Sequence, residues 1–134
     1  MVSELFTVYG ETDGVGITDD LPLYADIIDY TIATPEHLRI PRGMKLKIWA
    51  IRVNGNLGDT AVTVNYTHDV TAGIPVYIAI NTDILDNAVD SRFSDDYRKP
   101  IILRGFTGDE AVKFTWTQPV AVKANAEIDV EYCD

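Results

Sequence analysis

Glu127-Ile128-Asp129-Val130-Glu131-Tyr132 decides the fold. Apolar residues alternate with carboxylates at a period of two. That spacing puts one kind of side chain on each side of an extended strand and scatters both kinds around a helix. The same alternation recurs upstream. Val112, Phe114 and Trp116 alternate with Lys113, Thr115 and Thr117, and Val62, Val64 and Tyr66 with Thr63, Asn65 and Thr67. Ile74, Val76, Ile78 and Ile80 alternate with Pro75, Tyr77, Ala79 and Asn81, and Pro75 suits a strand start or an edge. These patterns predict a core drawn from Val62, Val64, Val76, Ile78, Ile80, Phe114, Trp116, Ile128 and Val130.

Less regular strands are expected over residues 5–9, 26–33, 44–53 and 100–104, which makes about eight in all. Glycines punctuate the intervals, and Asn54-Gly55 carries a hairpin signal because both residues tolerate positive φ. One short helix is expected over residues 83–89, with Thr82 or Asp83 as its cap. The chain of 134 residues suffices for one core and not two. The expectation is a single all-β domain spanning residues 1–134, a β-sandwich of jelly-roll type with about eight antiparallel strands and one short helix or irregular loop.

Charge narrows the function. The formal net charge is −10, and no lysine or arginine precedes Arg39. A chain this acidic repels phosphate backbones, which argues against nucleic acid as a partner. No apolar run approaches a membrane span, and the start Met1-Val2-Ser3-Glu4-Leu5 lacks the pattern of a secretory signal. A single cysteine, Cys133, excludes an internal disulfide framework. The cations gather at Arg39, Arg42, Lys45, Lys47 and Arg52 and again at Arg92, Arg98, Lys99 and Arg104. An acidic N-terminal third beside such basic segments suits docking of one copy on another, or a solvated surface.

No catalytic, metal or cofactor residues are expected. His37 and His68 are the two histidines, and no cluster has metal-ligand spacing. The glycine-rich stretch over residues 10–16 lacks the lysine of a phosphate-binding loop. The acids mark no pair for hydrolytic work, so the chain is read as a non-enzyme.

Two segments stand apart. In residues 44–53, Ile48 to Ile51 are apolar on both faces of a regular strand, so the second face must be covered by the chain itself or by a partner. Residues 86–100 lack strand periodicity and mix Arg92, Phe93, Tyr97 and Arg98 with acids. Arginine and aromatic residues concentrate binding energy at interfaces. Trp49, Ile51, Arg92, Phe93, Tyr97 and Arg98 are therefore the candidate partner interface.

An acidic chain of this size with these strands, from Met44-Lys45-Leu46-Lys47-Ile48-Trp49 to Glu127-Ile128-Asp129-Val130-Glu131-Tyr132, resembles viral single jelly-roll proteins. Among them it is most similar to the decoration or cement proteins of tailed-phage capsids. The resemblance is one of architecture, without a diagnostic motif, and fold alone does not assign function. It implies a homo-oligomer bound to a capsid protein lattice in the virion, assembled in the host cytoplasm. The alternative is an extracellular carbohydrate-binding module presenting Trp49, Tyr24, Tyr77 and Tyr97 to sugar rings.

Overall fold

The computed structural model describes residues 3–12, 14–24, 37–54, 58–87, 92–118 and 123–134. These form ten strand segments: β1 (Ser3–Glu11), β2 (Thr18–Asp20), β3 (Leu23–Tyr24), β4 (Leu38–Arg39), β5 (Lys45–Asn54), β6 (Gly58–Thr67), β7 (Ile78–Asn87), β8 (Arg92–Arg104), β9 (Ala111–Thr117) and β10 (Asn125–Cys133). One sheet runs β3-β1-β10-β5-β8. The other runs β2-β9-β6-β7, with β4 also on β9. All pairs are antiparallel. The last strand lies between the first and the fifth, and the ninth between the second and the sixth, which is a jelly-roll order.

The alternation of the sequence becomes the core. Leu46, Ile48, Ile51, Val53, Ile128, Val130 and Tyr132 of the first sheet are fully buried. They belong to one cluster with Val62, Val64, Val112, Phe114 and Trp116 of the second. Each such side chain contributes about 1.5–3 kcal/mol through removal from water. The wet faces hold the partners that the alternation predicts, with Glu127, Asp129 and Glu131 on β10 and Lys113 and Thr115 on β9 only partly buried.

The strand expected over residues 26–33 lies outside the described residues. Four other expectations need correction. Residues 83–87 belong to β7 and not to a helix, because they continue the ladder on β6, from Val62↔Asp83 to Gly58↔Asn87. Residues 86–100 are mostly strand: 86–87 close β7 and 92–100 open β8. The connection at Asn54-Gly55 joins strands of different sheets, since both sides of β5 are taken by β10 and β8, so it is a crossover and not a hairpin.

The fourth concerns β7. Val76 and Ile78 are 72% and 55% exposed and Ile80 is 38% exposed, so none of the three joins the core. Two features cause this. β7 ends its sheet, and its register on β6 runs Val64↔Asn81 and then Asn65↔Ala79. Ile80 is thus an extra residue, a β-bulge that takes it off the inward parity, while Ile78 still pairs with Tyr66 and is exposed because β7 ends its sheet. Ile74 and Val76 lie before the strand begins.

Candidate interaction surfaces

A second bulge explains the doubly apolar stretch of β5. Val130 pairs with Ile48 and Asp129 with Ala50, leaving Trp49 as the extra residue. Parity reverses there, so Ile48, Ile51 and Val53 all face the core, and of the apolar residues only Trp49 and Ala50 turn to the other side. Ile51 is fully buried in the chain's own core and presents nothing at the surface. Trp49 is half-buried, and its indole Nε1 donates to Glu131 Oε1 at 3.1 Å.

Around Trp49 the outer face of this sheet is a charged network. Arg52 donates two parallel hydrogen bonds of 2.6 Å to the carboxylate of Asp129 and a longer one of 3.4 Å to Glu127. Thr7 Oγ1 donates to Asp129 at 2.7 Å. The bond from Arg52, with help from Thr7, holds the Asp129 carboxyl below its ordinary value against the opposing effect of burial. The bond to Asp129 likewise keeps Arg52 charged above its already high value. One row further, Leu5, Glu131, Lys47 and Ile102 are successive cross-strand neighbours, with exposed Leu5 and Ile102 at its ends.

The other predicted interface residues fall on β8, the strand that ends this sheet. Arg92 pairs with Asn54 and Phe93 with Val53. The ladder then jumps from Ala50↔Asp96 to Ile48↔Ile101. Residues 97–100, which include Tyr97 and Arg98, therefore fill an irregularity opposite Trp49. At the level of the backbone the structure thus brings Trp49, Tyr97 and Arg98 to one place on the sheet and sends Ile51 elsewhere.

A second surface lies outside the sequence expectations. Ile74, at 88% exposed, Val76, Ile78 and Ile80 form an aliphatic strip along the edge of the other sheet. With Thr67, His68, Asp69 and Ala72, the first three of them line an open groove of about 210 Å³. Its signal in the sequence is the run over residues 70–82, the longest in the chain without a charged residue.

Nearby polar groups are engaged with one another. Asp20 accepts from Lys113 Nζ and Thr115 Oγ1, each at 3.0 Å. The Lys113 ammonium lies 4.2 Å from the Tyr77 ring centroid, and His37 stacks on the same ring. Tyr77 thus meets its own neighbours where the sugar-binding alternative needs a bare ring. Tyr66 and His68 lie edge to face, with Oη and Nδ1 3.5 Å apart. Among the described residues, no three of His, Cys, Asp and Glu are grouped to hold a metal ion.

No protein-family model matches the chain, and no curated protein does. Solved structures do. A chain in a structure of infectious bursal disease virus Gx strain matches with a TM-score of 0.50 at 9% identity, over 97% of this chain and 32% of that one. A chain of the cyanophage Pam1 capsid asymmetric unit covers 97% of this chain and 84% of that one, with a TM-score of 0.35 at 10% identity. This chain spans about a third of the length of the infectious bursal disease virus chain it matches. The architecture-level resemblance to viral proteins is thus found, and at these identities it is a likeness of fold.

Proposed function

We propose that this protein is a non-enzymatic structural component of a virion. It self-associates and docks on a capsid protein lattice as a decoration or coat subunit, without nucleic acid or membrane as partner. The observation that carries this reading is apolar surface left in water by a jelly-roll domain whose core is already filled. Ile74, Val76 and Ile78 are more than half exposed although the sandwich buries its core residues completely. Folding gives no reason for such a strip, whereas a partner surface does. The fold shared with a chain of a virus structure supports the reading at the level of architecture.

The docking contact is assigned to Trp49 and the stretch of β8 opposite it, with Arg92, Phe93, Tyr97 and Arg98. The test is co-sedimentation of the purified chain with shell particles stripped of it, beside the Arg98→Glu and Phe93→Ala variants. Binding of the wild type, weakened in both variants with unchanged thermal melts, is the expected result. A wild-type chain that stays in the supernatant overturns the reading.

A further inference from the structure

We infer that the strip formed by Ile74, Val76, Ile78 and Ile80 is a self-contact, packed side chain to side chain against the same strip of a second copy about a two-fold axis. The inference rests on the self-association proposed above, but not on the shell, and it uses a different surface from Trp49 and β8.

Electrostatics selects the occupant. The chain carries a net charge of −10, so two copies repel wherever their acidic surfaces meet. Residues 70–82 contain no charge and Asp69 is the one acid that lines the groove, so here two copies can approach with a single pair of carboxylates to keep apart. A partner recognised through several basic residues would find one carboxylate, Asp69, in the groove and none on the strip itself. A neutral aliphatic surface is the complement, and the second copy supplies one of matching length. A two-fold axis near the middle of the strip sets aliphatic residues against aliphatic residues over its whole length.

The area is adequate. The exposed parts of these four side chains sum to roughly 400 Å², within the range of the largest functional patches on monomers. Two strips with their flanking backbone reach about 1,200 Å², the lower end of stable interfaces. The groove adds depth, since its volume of about 210 Å³ exceeds the roughly 150 Å³ of a cavity that takes up benzene. Ladder extension is not the mode. Pro75 lacks the N–H that a pairing strand needs, and the bulge at Ile80 breaks the hydrogen-bond spacing, two devices that discourage edge-to-edge pairing. Side-chain packing remains.

The experiment is sedimentation velocity of the full chain up to about 100 μM, for the wild type and for Ile74→Asp and Val76→Asp, with thermal melts alongside. Both positions are exposed, so the substitutions leave the fold intact, while each places two carboxylates in the dimer. A wild-type dimer that weakens by about tenfold or more in both variants is the expected result. A second readout does not depend on those variants. Cys133 is buried, so Val76→Cys introduces an exposed thiol that should form an interchain disulfide on mild oxidation, faster than Val15→Cys, which is comparably exposed on another loop. A wild type that is monomeric throughout, or variants that associate as the wild type does, overturns the inference. So does equal cross-linking of the two cysteine variants. Shell binding without dimerisation overturns this inference alone; dimerisation without shell binding overturns only the virion reading.

Discussion

Arg52 and Asp129 face each other across β5 and β10 with two hydrogen bonds of 2.6 Å, and their side chains are only 22% and 28% exposed. This two-pronged geometry is the stronger form of an ion pair, and partial burial shields it from salt. It fastens the two central strands of the first sheet on the side away from the core. Asp129→Asn should therefore lower stability at neutral pH by about 1–2 kcal/mol. The folded carboxyl titrates below its ordinary value, so its contribution is complete above roughly pH 4 and fades as the pH falls further. Arg52 stays charged throughout and adds no pH dependence there. Thermal melts of wild type and variant should differ at pH 7 and converge in acid; a constant gap would refute the assignment.

Glu110 closes the turn before β9. It is 2% exposed, and its carboxylate accepts from the backbone N–H of Phe106 at 3.0 Å, Thr107 at 3.1 Å and Gly108 at 3.0 Å, and from the Thr107 hydroxyl at 3.1 Å. Burial pushes its pKa up, but the backbone donors outweigh that and leave it below the ordinary value. Glu110→Gln keeps the shape, loses the charge and turns an amide N–H₂ toward N–H donors. The expected cost is about 1–3 kcal/mol at neutral pH, read by denaturant unfolding. This cost too should shrink below roughly pH 4, where the wild-type carboxylate begins to protonate.

Two glycines near this turn serve different ends. A Cβ on Gly105 would lie 2.2 Å from Pro41 O and 2.7 Å from Ile40 O. Those atoms belong to a backbone tied to Gly105 itself, through Gly43 N to Gly105 O and Gly105 N to Met44 O, each 2.9 Å. Gly43 has open space around it but a φ of 79°. Gly43→Ala should cost about 1–2 kcal/mol for the left-handed backbone alone. Gly105→Ala must displace a hydrogen-bonded turn and should cost about 3 kcal/mol or more. Comparable losses in the two variants, measured by denaturant unfolding, would refute the distinction.

The sandwich is legible in the sequence where strands are regular and central. In β9, β10 and most of β6 the period of two maps directly onto burial, because each residue faces one neighbouring sheet. The pattern misleads where one residue is inserted. The bulges at Ile80 and Trp49 leave no mark in composition, yet each reverses the parity of the residues beyond it. Simple alternation therefore puts Ile80 in the core, and gives Ile51 to a second apolar face that does not exist. β8 is hidden because residues 97–100, with Pro100 among them, interrupt its alternation opposite Trp49. Of the interaction surfaces, Trp49 and the β8 stretch are visible as residue types. The strip from Ile74 to Ile80 is disguised by its own regularity.

The bulge at Trp49 yields the sharpest test of the fold. Because Trp49 is the extra residue, removing it leaves Ile48, Ala50, Ile51, Arg52 and Val53 in unbroken alternation. Ile48, Ile51 and Val53 still point inward, and Arg52 still meets Asp129. Deletion of Trp49 should therefore be tolerated, at the cost of one half-buried side chain and its hydrogen bond to Glu131, about 2 kcal/mol. Deletion of Thr115 makes the contrast. It lies in a regular strand between Phe114 and Trp116, both fully buried, and the register continues unbroken through β6. Without Thr115 one of those rings must leave the core, or the strand must slip by a residue against both neighbours. Either route forfeits about 3–5 kcal/mol from a single aromatic side chain, the cavity it leaves included. Circular dichroism and thermal melts of the two deletions decide the matter. The Trp49 deletion should keep the β spectrum and a cooperative transition, and the Thr115 deletion should lose both. If the Trp49 deletion unfolds as completely as the other, the residue is not a bulge and the register of β5 is wrong.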